Sequence, residues 1–239
     1  MDKEKRINIL KCLLVVFVVV IPSTFRAITP LFKEEPKNIS FIYYNFDLGV
    51  YSALSWLIMA LQFAFPVLLV ILISNESFKD YGFNRISIKD AVKALLRLFL
   101  IIFGPPLLLC IICVILSLIF FNGVIYDIFD GILFKEKIPL QMFLINILPI
   151  ILVSFTEEIC FRSFLYTNLN KIINSKWVCI FITSLLFSVC HIYQGIIGVI
   201  FAFFFGIICG MEYKNHKNIY TIGTFHAIKN IIAFAVRVV

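Results

Sequence analysis

The sequence predicts an all-α fold, a polytopic integral membrane bundle of about seven to eight transmembrane helices. Of its 239 residues, 62% are hydrophobic and 15% are charged, which is far more apolar than a water-soluble domain. A hydrocarbon core about 30 Å thick needs roughly 20 apolar residues for each helical crossing, and the chain contains a series of such runs. Because the connections between them are short, we expect residues 1–239 to form a single membrane domain.

The apolar runs place the candidate helices along the chain. They cover residues 7–25, 50–73, 98–121, 138–156, 178–193, 195–211 and 219–237. The first run follows a charged segment, as in a signal peptide, but the S-T-F-R stretch at 23–26 is not a small-residue cleavage site. We therefore expect a retained first helix.

Lysine and arginine are distributed unequally between the two ends of these helices. The side that holds the N-terminus carries 14 of the 21 cationic residues and the opposite side carries 6, which predicts a cytoplasmic N-terminus. The connection 78–97 is both amphipathic and basic, so we expect it to lie along the inner membrane surface. Since the net charge of +7 reflects residues that orient the chain, we predict no nucleic-acid partner.

Two further patterns concern packing. The seven cysteines lie in or beside apolar runs without the pairing typical of disulfides or zinc sites, so we expect them to be small buried hydrophobic residues. Small residues recur every four positions at Gly198, Ala202, Gly206 and Gly210. This stripe predicts a closely packed helix at the centre of the bundle.

The first polar group inside the membrane is the stretch E-E-I-C-F-R at 157–162. A charged side chain at mid-membrane costs about 2.5–3.5 kcal/mol on insertion scales, so such residues usually have a partner and a function. On a helix, Glu158 and Arg162 are four residues apart and can form an ion pair, whereas Glu157 points about 100° away. Glu157 is therefore the candidate general base.

Two later helices carry the other polar groups. His191 lies at the end of its apolar run, one turn after Phe187, and His226 shares a helical face with Asn230. These residue types fit peptide hydrolysis. Glu157, helped by His191, could deprotonate water, and His226 and Asn230 could donate hydrogen bonds to the oxyanion. Taken alone, each motif has a simpler structural interpretation. The first could be an ion-paired helix end, the second an interfacial histidine, and the third a polar contact that holds two helices together. Their conjunction on three membrane helices favours the functional interpretation.

Two other ionisable residues near these motifs receive structural interpretations. Lys229 precedes Asn230, and we expect its ammonium group to snorkel toward the membrane surface. His216 lies between two apolar runs, and we expect a loop residue without a partner. Neither is assigned a role in chemistry.

The three patterns E-E-x-x-x-R, F-x-x-x-H and H-x-x-x-N, in this order, resemble those of the CAAX-protease and bacteriocin-processing (CPBP, or Abi) family of intramembrane proteases. The resemblance covers roughly residues 140–235, which we expect to be the catalytic core, and the stretch Y-G-F-N-R at 81–85 is similar to a weaker family signature. It implies an endopeptidase with its site sunk in the membrane toward the cytoplasmic side. The implied location is a bacterial cell membrane, and the implied substrates are CAAX-like proteins or bacteriocin peptides.

The resemblance also implies roles for individual residues. Glu157 with His191 would activate water, His226 with Asn230 would bind the oxyanion, and Glu158 with Arg162 would be a supporting ion pair. The family is often labelled metalloprotease, and a zinc ion held by Glu157, His191 and His226 is the alternative to the metal-free site that we favour. The spacing of the motifs does not decide between the two, because the ligands would come from three helices.

Other classes of function remain as alternatives. The same helices could form a non-catalytic bacteriocin self-immunity protein or a peptide-binding membrane protein. A transporter is a weaker alternative, because the chain lacks the two equivalent halves that transporters commonly have. In every case the predicted partners are the lipid bilayer and a membrane-associated protein or peptide, and the sequence does not predict the oligomeric state.

Overall fold

The fold is helical in a computed structural model that describes residues 2–29, 46–120 and 138–238, with the backbone alone at 46–49, 106–107 and 109–120. Within these ranges there is no strand beyond one isolated bridge. The helices are α1 (Lys3–Ile28), α2 (Phe46–Ile73), α3 (Ile88–Phe120), α4 (Leu140–Ile172), α5 (Lys176–Val189), α6 (Gly195–His216) and α7 (Ile219–Ala235). The predicted all-α class is confirmed.

The described helices have the length and surface of membrane spans. Four segments are long and apolar enough to cross a bilayer, namely Lys3–Ile28, Val50–Ile73, Leu140–Ile172 and Ile192–His216, while α5 is apolar but shorter. Large apolar side chains such as Leu61 and Leu72 are exposed on their outer faces, which fits lipid rather than water. The number of seven to eight crossings stays a prediction, because residues 30–45 and 121–137 lie outside the described ranges.

Two helices are longer than their apolar runs. The helix predicted at 98–121 begins at Ile88, so the second half of the basic connection 78–97 is helical. The helix predicted at 138–156 continues to Ile172, because every side chain from Cys160 to Tyr166 is buried. A segment that is covered on all faces can remain helical at the centre of a bundle.

The central helix is α4 and not the helix with the small-residue stripe. Among the described residues, α4 contacts α1, α2, α5, α6 and α7. The stripe on α6 does allow a close approach, since a Cβ at Gly206 or Gly210 would lie 2.9 Å from the side chain of Ser184 or Ile180 on α5. The opposite face of α6, with Phe201, is exposed, so this helix is at the edge of the described bundle.

One end of the bundle is held by Glu76, which follows α2. Its carboxylate accepts hydrogen bonds from Lys11 of α1 at 2.6 Å, Lys171 of α4 at 2.7 Å and the Tyr81 hydroxyl at 2.6 Å. Burial opposes ionisation of Glu76, but these three donors outweigh it and lower the pKa of the carboxyl group from 4.5 to about 2. We call this end, where the three helices meet, the basic end.

The Y-G-F-N-R stretch after α2 packs against the junction of α6 and α7. Gly82 has a φ of 83° and accepts a hydrogen bond from the backbone N–H of Ile219 at 2.9 Å. A Cβ at Gly82 would lie 2.6 Å from the ring of Tyr213. Glycine is therefore required there both by backbone conformation and by space.

The cysteine and His216 predictions have different outcomes. Cys12, Cys160, Cys179, Cys190 and Cys209 are free and buried, as predicted, while the side chains at 110 and 113 lie outside the described residues. The interpretation of His216 as a partnerless loop residue is wrong. It is the last residue of α6, and its Nδ1 lies 3.0 Å from Glu212 Oε1 because one helical turn separates the two.

Candidate active site

The ion pair predicted inside α4 is formed. Arg162 Nη1 lies 3.1 Å from Glu158 Oε1, and both side chains are completely buried. The guanidinium carbon is 4.3 Å from the centre of the Phe187 ring, which gives a cation–π contact with α5. The same Glu158 oxygen lies 2.8 Å from Nδ1 of His226 on α7. Glu158 is thus engaged by groups from two helices.

Glu157 points away from this pair, as its helical position predicts. Its side chain is 7% exposed, and its described ion-pair contact is His226 Nε2, 3.7 Å from Glu157 Oε2. His226 therefore lies between the two glutamates, with one ring nitrogen facing each. The helix is in the π form from Ile159 to Tyr166, directly after the glutamates, and π segments are frequent at functional sites.

His191 lies in the turn after α5, because that helix ends at Val189 and not near 193. Its Nδ1 lies 3.0 Å from the carbonyl oxygen of Phe187, and its ring centre is 4.5 Å from the Phe187 ring. When Nδ1–H donates to this carbonyl, Nε2 becomes a proton acceptor. The F-x-x-x-H motif thus fixes both the ring and its tautomer.

Asn230 is held by two residues that the sequence analysis did not assign to the site. Its Nδ2 donates to the Ser154 hydroxyl at 2.9 Å, and its Oδ1 accepts from Lys229 Nζ at 2.8 Å. The ammonium group of Lys229 is 5.0 Å from the centre of the Phe205 ring. The expectation that Lys229 snorkels is therefore wrong, because its charge is bound within the helix bundle.

A cavity of about 670 Å³ opens beside Glu157 and His191. Its other walls come from α1 and α2, including Ser23, Arg26, Tyr51, Trp56, Met59 and Phe63. His191 also borders a second cavity of about 220 Å³, together with Lys229. The sequence analysis assigned no residue of α1 or α2 to the site, because these helices carry no polar motif and only their packing brings them there.

The site lies deep in the bundle. Along α4, Glu157 is 14 residues from Lys171 of the basic end, or about 20 Å of helix. The cavity continues toward Arg26 and Tyr51, which lie farther along α1 and α2 from that end. If the basic end is cytoplasmic, the cavity extends toward the opposite side, unlike the position that the family resemblance implies. The walls that set this direction belong to α1 and α2, outside the region of resemblance.

Several buried side-chain atoms of the site have no hydrogen-bond partner among the described residues. Within that part of the chain, the buried polar atoms without a hydrogen-bond partner are Glu158 Oε2, Arg162 Nε and Nη2, and Ser184 Oγ. Such atoms are uncommon in folded proteins and often mark functional sites. The described residues contain no cluster of three His, Cys, Asp or Glu that could hold a metal, and the zinc alternative stays a prediction.

Comparison with known families identifies the segment that contains this site. Residues 139–232 match the family described as Type II CAAX prenyl endopeptidase Rce1-like. No curated protein and no solved structure matches the chain. The matched segment begins just before α4, ends within α7 and includes all six predicted site residues. The resemblance to the CAAX-protease family is confirmed, and residues 139–232 of this membrane protein have the sequence characteristics of that protease family.

Proposed function

We propose that the protein is an intramembrane endopeptidase that uses Glu157 to activate water and hydrolyses membrane-associated proteins or peptides. One observation carries the assignment of the base. Glu157 borders the large cavity, whereas Glu158 is engaged by Arg162 and His226 and does not line it. A general base must reach the proton that it accepts, which favours Glu157 over its neighbour.

His191 completes the water site. Its Nδ1 contact with Phe187 directs Nε2 to act as an acceptor, and both His191 and Glu157 line the cavity. A water molecule between them could donate one hydrogen bond to each, which orients an oxygen lone pair toward a substrate carbonyl. As the oxygen attacks, Glu157 takes the proton, and it can return this proton to the leaving amine.

His226 and Asn230 act on the opposite side of the reacting carbonyl in this proposal. Glu158 fixes the His226 ring through Nδ1, which leaves Nε2 to exchange a proton or a hydrogen bond near Glu157. An amide nitrogen carries two N–H groups, so Asn230 can donate to Ser154 and also to the oxyanion. Loss of one such donor typically costs about 10²–10³-fold in rate.

The cavity supports a membrane-associated substrate. Its volume of about 670 Å³ is within the usual range for binding sites, and Tyr51, Trp56 and Phe63 make part of its wall aromatic. Such a wall suits apolar side chains or an attached lipid. We therefore propose substrates of the CAAX-like or bacteriocin-peptide type, processed in a bacterial cell membrane by a protein whose N-terminus is cytoplasmic.

The proposal is tested with purified protein and a library of membrane-anchored peptides, each with a fluorescent group and a quencher across the cleaved segment. Glu157→Gln removes the base while keeping the shape of the side chain, so we expect cleavage to fall about 10²–10⁴-fold with unchanged thermal unfolding. Glu76→Gln is the matched control, because it makes the same substitution at a carboxylate that does not line the cavity. Equal cleavage by wild type and Glu157→Gln would refute the assignment.

The same assay decides between a metal-free site and the zinc alternative. We expect cleavage to persist after treatment with a chelator, because Glu157 and the two histidines would act on water directly. Loss of activity that added zinc restores would instead support the set of Glu157, His191 and His226.

A non-catalytic immunity or peptide-binding protein is the second candidate, and the same cavity supports it. It predicts that cells expressing Glu157→Gln keep full protection against a bacteriocin, since a neutral side chain of equal size leaves the cavity shape unchanged. The endopeptidase proposal predicts loss of any protection that depends on cleavage.

A further inference from the structure

A third cavity with a distinct chemistry lies outside the candidate active site. It has a volume of about 330 Å³ and is bordered by the loop before α3, the first turns of α3 and the junction of α6 and α7. Four basic side chains line it, namely Arg85, Lys93, Arg97 and His216, together with one acidic side chain, Asp90. No residue of this cavity belongs to the three catalytic motifs.

The walls of this basic cavity are fixed by hydrogen bonds. Asn218 Nδ2 donates to the backbone oxygen of Asn84 at 2.6 Å, and Asn84 Nδ2 donates to the backbone oxygens of Lys79 and Lys217 at 3.0 and 3.1 Å. These contacts join the loop to the junction of α6 and α7. The walls of the cavity are therefore held in fixed positions relative to each other by the fold.

The charges around the cavity are not balanced. Glu212 accepts from Arg97 at 2.6 and 2.7 Å and also contacts His216, while Asp90 accepts from the Ser87 hydroxyl at 2.6 Å. Among the described residues, neither Arg85 nor Lys93 forms an ion pair with an acidic side chain, and both are exposed. Two cations thus remain available to an anion that enters the cavity.

The position of the cavity relative to lipid follows from two rows on α3. Ile88, Val92, Leu96 and Leu100 form a row of exposed apolar side chains at four-residue spacing, with exposed fractions of 84%, 48%, 59% and 72%. The cations Lys89, Lys93 and Arg97 form the next row around the helix, at the same spacing. An apolar row beside a cationic row is the arrangement of a helix at the boundary between acyl chains and headgroups.

We infer that this cavity binds the phosphate headgroup of an anionic phospholipid. Arg85 and Lys93 contact the phosphate oxygens, Asn84 and Asn218 form the polar wall, and the acyl chains lie along the row from Ile88 to Leu100. Arginine and lysine are the side chains that bind phosphate, and basic pockets beside membrane helices accept anionic headgroups. The lipid holds the loop before α3 and the junction of α6 and α7 together, independently of catalysis.

Native mass spectrometry of the purified full chain tests this inference. The protein is incubated with phosphatidylglycerol, with phosphatidylcholine or with both, and the retained lipid is counted. Wild type is expected to retain one phosphatidylglycerol in preference to phosphatidylcholine. The double variant Arg85→Gln/Lys93→Gln is expected to bind it on the order of 30-fold more weakly, since each cation near a lipid surface contributes about fivefold.

The matched control is Lys89→Gln/Lys214→Gln, which removes two cations that do not line the cavity. An equal loss of lipid in both double variants would overturn the inference, because it would indicate general attraction to a basic surface. The third arm adds inorganic phosphate to the lipid complex. If the lipid stays bound, the headgroup assignment is supported. If phosphate at the same concentration as the lipid displaces it, the cavity binds free phosphate and the inference is overturned.

Discussion

Two carboxylate clusters join helices of this protein, and they differ in how completely their charges are satisfied. At the basic end, Glu76 receives three hydrogen bonds of 2.6–2.7 Å from Lys11, Lys171 and Tyr81. Deep in the bundle, Glu158 contacts Arg162 and His226, whereas the ion-pair contact of Glu157 is His226 at 3.7 Å. One oxygen of Glu158 has no partner among the described residues. The first cluster is saturated with donors and the second is not.

The two clusters also differ in whether they border a cavity. Glu76 lines none of the three cavities described above, whereas Glu157 borders the largest of them. A saturated carboxylate away from a cavity can stabilise the fold but has little capacity to accept a proton. Glu157 lies beside a cavity, and its described ion-pair contact is 3.7 Å long, so it has that capacity. We therefore propose that the basic end serves stability and the deep cluster serves chemistry.

The largest expected effect on stability concerns Arg162. Arg162→Met leaves the Glu158 carboxylate buried without its cation, so we expect the free energy of unfolding to fall by about 3–5 kcal/mol. Unfolding by titration with sodium dodecyl sulfate in mild detergent measures this change. The control is Glu158→Gln/Arg162→Met, which removes both charges and should recover part of the loss. Equal destabilisation by the single and double variants would contradict the importance of the buried pair.

The next largest effect is expected at Gly206, where α6 packs closely against the deep cluster. A Cβ at Gly206 would lie 2.9 Å from Ser184 Cβ and 3.1 Å from Arg162 Nη2, so Gly206→Ala should destabilise the protein by about 1–3 kcal/mol. Gly104→Ala is the control, because nothing lies within 4 Å of its Cβ position. The control should be neutral or stabilising by up to about 1 kcal/mol. Similar results at both positions would show that α6 does not pack as described.

A smaller effect is expected at Lys229, whose ammonium group donates to Asn230 Oδ1 and which we propose as a positioning residue. Lys229→Met removes the donor to Asn230 Oδ1, which frees the amide to rotate and weakens its N–H groups as donors. We expect kcat to fall about tenfold with KM unchanged, and Lys229→Arg to restore most of the rate. A change in KM alone, without a change in kcat, would assign Lys229 to substrate binding instead.

The smallest effect concerns Glu76. Glu76→Gln should lower the free energy of unfolding by about 1 kcal/mol through weakened hydrogen bonds, with the rate of peptide cleavage unchanged. In the wild type, the folded-state pKa of Glu76 is depressed to about 2, so its contribution to stability is complete above pH 4.5 and is lost as the pH falls toward 2. Unfolding measured across this range should show a slope that Glu76→Gln lacks. Loss of cleavage in Glu76→Gln would contradict the proposal that the basic end serves stability alone.

Several features were predictable because they depend on local geometry. The ion pair of Glu158 with Arg162 and the divergence of Glu157 follow from helical spacing alone. The contact of His191 with Phe187 likewise joins residues four apart. The composition predicted the membrane fold, and the order of three polar motifs predicted the protease family that the comparison identifies.

Other features arose only when distant segments packed together. Arg26, Tyr51 and Trp56 belong to helices that no motif marks, yet they line the same cavity as Glu157. The extension of α4 to Ile172 depends on burial by its neighbours, and Lys229 stays inside because Asn230 and Phe205 bind its ammonium group.

The sequence by itself therefore determined the helical membrane class and the local pairs, since these depend on composition and on spacing within single helices. The tertiary structure decided which glutamate borders the cavity, which helices enclose it and where it leads. Those outcomes depend on contacts between residues far apart in the chain, whose geometry is set by packing and not by periodicity.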